Sequence, residues 1–329
     1  MELHSDSISN NWKSVKLDTD RDYLVSLYDN VYPIDNSIII YNYDKLFQFD
    51  YSGKFLRTIA QSGNGPMDIN NLIACVVDSK QEYLYLIDLN PAHIKVFSLI
   101  DNRFEKPIPI ASKTLLTAFC LINDSTFLCF PEMGANRQQC YTQDFNGNYL
   151  NNSKPDSILR GGIHLGMPLK VMKSDNQWFC QGQYEDTVFN ALSKEPVVVF
   201  SKGKSESVEE IVNNKGRKEM VHMNKIFSMN EMYVFSKIIY KLIPVSEGAI
   251  EMHESEYAYF LFNWKNHSIK HITSFYFEPL KKQLSSDEMH KVLKHTTSFN
   301  HDKIVIMFED EIGDDNPTIY VADLLSRIE

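Results

Sequence analysis

"KLFQFDYSGKFLRTI" (residues 45–59) contains a strand-like run, a turn at Asp-Tyr-Ser-Gly and a second strand-like run. Gly53 supplies the positive φ that a tight turn needs, so the stretch predicts a β-hairpin. "QQCYTQDFNGNYLNN" (138–152) repeats the pattern, with its turn at Asp144 and Gly147. The recurrence indicates a repeated antiparallel unit.

Similar units continue along the chain, and each contains one position that serves as an anchor. The anchors are Phe49, Phe97, Gln143, Phe189, Phe262 and Val321, spaced by 48, 46, 46, 73 and 59 residues. Another strand precedes each anchor, as "TFLCF" does before Gln143. Six units of about 47 residues, two of them enlarged, fit the four-stranded blades of a β-propeller.

The last unit ends without a fourth strand, and "NWKSVKLD" (11–18) can supply it. That pairing would close the ring and remove a free sheet edge. We therefore predict an all-β fold: a six-bladed β-propeller of four-stranded antiparallel blades, closed by an N-terminal strand. It forms a single domain over residues 1–329, with residues 1–10 as a loose lead.

Two insertions into this pattern are predicted to be helical, near 205–222 and 285–296. "SESVEEIV" carries a capping box of Ser207 and Glu210, and "SSDEMHKVLKH" carries one of Ser285 and Glu288. In each, apolar residues follow at helical spacing. The helices either roof the ring or form the wall of a ligand cleft.

"SGNGPMDINN" (62–71) has two glycines two residues apart, as phosphate-binding loops do. A phosphate loop needs a helix N-terminus after it, and usually a lysine. Here Pro66 removes one backbone donor, no lysine follows, and the next run is strand-like. We interpret the stretch as the connection from the first blade to the second.

Composition restricts the partners and the compartment. The net charge of −10 disfavours nucleic acid, and no window approaches the roughly 18 apolar residues of a membrane helix. The N-terminal "MELHSDSISNNWK" lacks the apolar core of a signal peptide, so the chain is either cytoplasmic or has lost a leader. The five cysteines show no C-x-x-C pair and are expected to be buried apolar residues.

Three stretches carry a resemblance to a family: "LFQFDYSGKFLRTIAQSGNGPMDINNL" (46–72) with Gly63, Gly65 and Pro66, "YEDTVFNAL" (184–192), and "DDNPTIYVADL" (314–324). They resemble the six-bladed β-propeller proteins of Bacteroides-type bacteria, which are related to NHL-repeat and TolB-like propellers. Members are typically exported lipoproteins of unassigned activity, so the resemblance implies the periplasm or the cell surface. The chain departs from the family in lacking a lipid-attachment cysteine and in having Met67 and Asp68 where Gly-Glu is preferred.

Long loops are predicted on one face of the propeller, where the loop between the second and third strands and the connection to the next blade both open. Loops on a rigid scaffold commonly bind ligands. Candidate binding residues on this face are Arg137, Arg160 and His164. Tyr43, Trp178 and Trp264 are candidates for stacking on a glycan, but core positions are the favoured interpretation for all three.

No catalytic motif is present, and no catalytic residue is predicted. We expect a non-catalytic binding module for a protein, glycan or envelope component, without a cofactor. The alternative is a calcium-dependent, lactonase-like hydrolase with its site in the central channel, to which Asp35, Asp78, Asn123, Asp175 and Asn300 would contribute. For these five residues a turn-forming role, in which short polar side chains bond the backbone, is the favoured interpretation. A weaker metal alternative is the acidic loop "FEDEIGDDNP", with Glu309, Asp310, Asp314 and Asp315.

Overall fold

A computed structural model describes most of the chain. The described residues are 1–27, 29–65, 68–89, 93–113, 115–131, 140–150, 170–174, 177–181, 187–193, 195–199, 219–229, 232–246, 249–263, 266, 268–294, 297–299, 303–308 and 316–323.

Six small antiparallel sheets follow one another in the described part of the chain, and we number them I to VI. Sheet I contains Asn30–Pro33, Ile38–Tyr41, Lys45–Phe49 and Phe55–Gln61. Sheet II contains Ala74–Val77, Tyr83–Ile87, His93–Ser98 and a divided last strand, Arg103–Phe104 and Ile108–Pro109. Sheet III contains Leu116–Asn123, Thr126–Pro131 and Tyr141–Asp144.

The remaining sheets include the one with the longest strands, sheet V, and one that takes a strand from the N-terminus, sheet VI. Sheet IV contains Lys170–Ser174, Gln177–Gln181, Thr187–Asn190 and Pro196–Val199. Sheet V contains Glu219–Met229, Met232–Ser246, Ala249–Asn263 and Ser268–Ile272. Sheet VI contains Thr297–Phe299, Lys303–Phe308, Thr318–Asp323 and, from the N-terminus, Lys13–Lys16.

An additional unit is formed by residues between sheets V and VI together with a strand from the N-terminus, and we call it the insertion. It has a three-stranded sheet of Glu2–His4, Ser274–Phe277 and Lys282–Leu284, followed by helix α1 (Ser286–Lys294). Short 3₁₀ turns lie at Ser5–Ser7, Arg21–Tyr23 and Glu278–Leu280. The fold is therefore all-β, with one α-helix among the described residues.

The second strands of sheets I, II, III and VI are apolar on both faces, and alternate residues enter different cores. In the second strand of sheet III, Phe127 and Cys129 pack with sheet II, whereas Leu128 and Phe130 pack with sheet IV. The second strand of sheet II divides in the same way between sheets I and III. Each such sheet is thus packed face to face between two others, which is a propeller-like arrangement.

Contacts between the first strands follow the same order. The first strand of sheet III contacts those of sheets II and IV, and the first strand of sheet V contacts those of sheets IV and VI. The first strand of sheet VI contacts that of sheet I, with which sheet VI also shares a core.

The N-terminal strand pairs where it was predicted to pair. Lys13–Lys16 runs antiparallel to the last strand of sheet VI, with Val15 opposite Ile319. Asn316, fully buried, ties the following segment: its amide donates to the carbonyls of Asp18 and Tyr23, and its Oδ1 accepts the backbone N–H of Val25 at 2.7 Å. One side chain therefore holds residues about 300 positions away in sequence.

The two Asp-x-x-Gly turns form as predicted and touch an outer strand of a neighbouring sheet. Gly53 has φ +89°, and a Cβ there would lie 1.8 Å from the Lys16 carbonyl oxygen. Gly147 has φ +78°, and its Cβ would lie 2.8 Å from the Pro109 carbonyl oxygen. The glycines are required for the turn conformation and also for the close approach of two sheets.

Several expectations need correction. Residues 1–10 are not a loose lead, because Glu2–His4 pairs in parallel with Ser274–Phe277 and Leu3 and Ile8 are buried. Residues 237–255, expected from the sequence to form one of the long loops, are instead mostly strand, because "KIIYKLIPVS" (237–246) pairs with the strand that follows it. In the described part of sheet III the fourth strand is reduced to one bridge, Gln143 to Tyr149.

The helical predictions had different outcomes. Helix α1 confirms the insertion near 285–296, and the Ser285–Glu288 capping box forms in both directions. Met289, Val292 and Leu293 are the apolar residues of this helix, and they are buried. The prediction near 205–222 is wrong for 219–222, which belong to a strand of sheet V, and 205–218 lie outside the described residues.

Replacing Asn316 with Ala should destabilise the protein by about 3 kcal/mol, because the buried Val25 N–H and the carbonyls of Asp18 and Tyr23 would lose their partner. Urea unfolding measures the free energy. Asn10→Ala, at an exposed position, is the matched control and should stay within about 0.5 kcal/mol of wild type. Equal effects of the two changes would contradict the role assigned to Asn316.

Gly53→Ala should cost at least about 3 kcal/mol, since positive φ and a backbone clash act together. Gly147→Ala should cost less, because its clash is milder. Thermal unfolding of both variants tests the order, with Lys54→Ala in the same turn as a control. A tolerated Gly53→Ala would show that the Gly53 turn does not approach Lys16 closely.

Candidate functional site

Seven of the residues singled out as binding or metal candidates lie outside the described part of the chain. Arg137 falls in 132–139, Arg160 and His164 fall in 151–169, and Glu309, Asp310, Asp314 and Asp315 fall in 309–315. They remain predictions. The site is therefore built from the described residues of the loops.

The loops that were expected to open on one side are hydrogen-bonded to each other. The Leu72 N–H donates to the carbonyl of Tyr43, which lies between the second and third strands of sheet I. The Leu89 N–H donates to the carbonyl of Asn70, and Leu89 follows the second strand of sheet II. The connection between the two sheets thus runs between their two loops, as predicted.

The glycine-rich part of this connection is filled by the protein's own carboxylate. Asp68 Oδ2 accepts the Gly65 N–H at 2.7 Å, and a Cβ on Gly63 would lie 2.2 Å from the same oxygen. An anion bound there would meet a negative charge where phosphate loops offer free N–H groups. The prediction of a connection rather than a phosphate loop is confirmed for the described residues.

An ion pair fastens the connection to sheet II. Lys95 Nζ lies 2.7 Å from Asp88 Oδ2 and also donates to the Asp68 carbonyl. The Asp88 side chain is 1% exposed and accepts the Asn70 N–H as well. Because the Asp88 carboxylate is buried and both partners also bond the backbone of the connection, the pair fixes the connection against the sheet.

Tyr43 is the most exposed aromatic residue at these loops. Its side chain is 70% exposed, so the expectation of a core position was wrong, whereas Trp178 is buried as expected. Trp264 lies outside the described residues. Leu89, 42% exposed, follows the second strand of sheet II as Tyr43 follows that of sheet I. We call Tyr43, Leu89 and the connection 69–72 between them the Tyr43 surface.

A turn of fixed geometry presents Tyr43. The Asn42 Oδ1 accepts the N–H groups of Asp44 and Lys45 at 3.0 and 2.9 Å, and its amide donates to Asp29. This side-chain turn ends the strand at Tyr41 and directs Tyr43 away from the core. An Asn-x-Asp signal after an apolar run was the available hint in the sequence.

The insertion makes a second polar cluster, against sheet V. The Tyr259 hydroxyl and His290 Nδ1 lie 2.6 Å apart, and the Tyr257 ring stacks on His290 with centroids 3.9 Å apart. Tyr257 donates to Asp287, and this hydrogen bond raises the pKa of its phenol. Tyr259 is 1% exposed, so the cluster joins the insertion to sheet V and does not offer Tyr259 to a ligand.

Two of the carboxamide and carboxylate groups considered for a calcium site bond the backbone instead. Asp78 Oδ1 accepts the N–H groups of Glu82 and Tyr83, and Asn123 Oδ1 accepts that of Ser125. Asp35 is exposed, and Asp175 and Asn300 lie outside the described residues. No group of three His, Cys, Asp or Glu side chains that would hold a metal occurs within the described ranges.

The cysteines are unpaired, as expected, and four of them are buried. Burial raises the pKa of Cys129 to about 12 and also raises that of Cys75. These thiols stay protonated at neutral pH and act as apolar core residues. Among the described residues, no helix is both long and apolar enough for a membrane span.

A family model described as "Domain of unknown function (DUF4934)" matches residues 1–321. A crystal structure of a Bacteroides fragilis protein described as exported is similar, with a TM-score of 0.67 and 13% identity over 97% of this chain and 98% of that one. A DUF4221-family protein of Bacteroides vulgatus has a TM-score of 0.56 and 11% identity over 96% and 97%.

The WD40 repeats of RRP9 match at a TM-score of 0.48 and 9% identity, over 95% of this chain and 98% of that one, which is too low to support a conclusion here. No curated protein matches the sequence. At these identities the two Bacteroides structures show a shared fold and nothing about activity.

Replacing Lys95 with Met should cost about 3 kcal/mol, because Asp88 would remain buried without its counter-ion. The double variant Lys95→Met/Asp88→Asn should recover much of this loss, since the amide still accepts the Asn70 N–H. Urea unfolding of the double-mutant cycle measures both. Lys303→Met, which breaks the more exposed pair with Asp323, should cost less than about 1 kcal/mol. A larger loss at Lys303 than at Lys95 would overturn the assignment.

Proposed function

The chain belongs to the DUF4934 family, and on that premise we propose that it is a non-catalytic recognition module whose Tyr43 surface binds a component of the bacterial envelope. The observation that carries the proposal is the exposed Tyr43 ring on a turn held by Asn42. An aromatic side chain kept in solvent by a rigid turn loses little freedom on binding, as interface anchors do.

The scaffold in this proposal is a single six-bladed propeller over residues 1–329, with sheets I to VI as blades. The equivalence of the two glycine turns supports it. Gly147 of sheet III rests on an outer strand of sheet II, and Gly53 of sheet I rests on the N-terminal strand of sheet VI. On this arrangement sheet VI precedes sheet I in the ring as sheet II precedes sheet III.

The insertion enlarges the binding side of the propeller. The long hairpin of sheet V joins its second and third strands, and the insertion follows its fourth strand. They correspond to the two kinds of connection that meet at Tyr43 and Leu89, namely the loop between second and third strands and the link to the next sheet. The contact of Tyr257 with Asp287 and His290 joins strand and helix into one wall.

A structurally similar protein supports a proposal for the compartment. The Bacteroides fragilis structure with the same fold is described as exported. We therefore place this module in the periplasm or at the cell surface, where the partner is a protein or a glycan of the envelope. A calcium-dependent hydrolase stays an alternative for the same scaffold.

The test uses the whole chain immobilised on a biosensor. Separated protein, polysaccharide and lipid fractions of a Bacteroides envelope flow over wild type and the double variant Tyr43→Ala/Leu89→Ser, with and without calcium. One fraction should bind, and the double variant should bind at least about tenfold more weakly, the loss of roughly 1.4 kcal/mol expected from one anchor. Lys54→Gln, at a turn between third and fourth strands, should bind as wild type.

The bound component is then recovered after prolonged incubation and its mass compared with that before contact. An unchanged mass is expected of a recognition module. Binding that survives the double variant, or a ligand converted to product in the presence of calcium, would refute the proposal.

A further inference from the structure

Carboxylates occur next to Tyr43 in the chain and in a turn that Lys45 contacts. Asp44 follows Tyr43 directly, is exposed, and accepts only the Ser62 hydroxyl among the described contacts of its side chain. Asp22 lies in the 3₁₀ turn Arg21–Tyr23, and Asp20 caps this turn. The Lys45 ammonium donates a hydrogen bond to the Asp22 carbonyl. A field of this sign attracts cations and repels phosphates and acidic sugars.

The nearby lysines are already engaged. Lys45 donates to the Asp22 carbonyl, and Lys95 is paired with buried Asp88. Arg21 is exposed among Asp18, Asp20 and Asp22, so the segment remains net negative. An incoming cation would therefore find carboxylates beside an aromatic face, a combination that binds ammonium and guanidinium groups.

Leu89 adds an apolar position on the other side of the connection 69–72. A ligand that covers both residues must offer an apolar group as well as a cation. A protein segment with a basic residue beside an apolar one has both groups, whereas an uncharged glycan lacks the cation and a nucleic acid has the wrong sign.

We propose that the Tyr43 surface binds a protein segment that presents an arginine or lysine next to an apolar side chain. The inference rests on the proposed recognition function and names its partner class. The cation lies on the Tyr43 ring beside Asp44, and the apolar side chain covers Leu89. Exposed cation–π contacts contribute about 0.5–1 kcal/mol each, so one such segment binds weakly and the remaining affinity comes from the rest of the partner.

The probe is a synthetic twelve-residue peptide that alternates Gly-Leu-Arg with Gly-Phe-Arg, compared with its citrulline version, which has the same shape without charge. Isothermal titration calorimetry at about 0.15 M salt keeps distant charges screened. The arginine peptide should bind at least about fivefold more tightly than the citrulline peptide, as expected for a contribution near 1 kcal/mol.

Variants separate the ring from the general charge of the protein. Tyr43→Ala and Asp44→Asn should each weaken the arginine peptide about three- to fivefold, while Tyr43→Phe should bind as wild type because it keeps the aromatic face. Asp35→Asn removes the same charge at an exposed turn between the first and second strands and should change affinity less than about 1.5-fold.

Equal binding of the citrulline peptide, no binding of either peptide, or equal losses in Asp44→Asn and Asp35→Asn would overturn the inference. These outcomes leave the recognition function standing if the envelope component still depends on Tyr43 and Leu89. Capture of an uncharged glycan through Tyr43 would be that case, and it would assign the surface to a different ligand class.

Discussion

Burial of both faces of the inner strands is the constraint on which this structure depends. A strand such as Thr126–Pro131, with Phe127 and Cys129 on one side and Leu128 and Phe130 on the other, needs a sheet against each face. A single sheet cannot satisfy that requirement, and a linear stack would leave two outer faces in water. Sheets VI and I meet this requirement by sharing a core to which the N-terminal strand contributes Val15.

The same constraint explains where polar groups occur. With the sheet faces occupied by apolar side chains, hydrogen-bonding residues collect at the ends of strands, where Asp50, Asp78 and Asp144 accept backbone N–H groups. Asn42 belongs to this set, but its turn also places an aromatic ring in solvent. The surface at Tyr43 is therefore a consequence of how a strand ends, and the rigid scaffold keeps it preorganised.

Features with a signal in the sequence were predictable, and pairings without one were not. The Asp-x-x-Gly turns, the pairing of 11–18 with the last strand and the Ser285 capping box each have a local signal, and the structure has all three. The pairing of Glu2–His4 with Ser274–Phe277 has none, since it joins segments about 270 residues apart and no local pattern marks either partner. The exposure of Tyr43 was mispredicted because of one residue. The apolar run before Asn42 suggested a strand that continues through Tyr43, whereas the Asn42 side chain ends the strand at Tyr41.

Sheet V shows why extra residues occur in only some of the connections between strands. Its second and third strands can lengthen because antiparallel pairing continues beyond the edge of the sheet without disturbing the cores between sheets. Extra residues between third and fourth strands meet a different limit, because turns such as that of Gly53 contact the backbone of the adjacent sheet. Additional residues are thus tolerated on the side where Tyr43 and Leu89 lie. Contact with the adjacent sheet excludes them at the glycine turns.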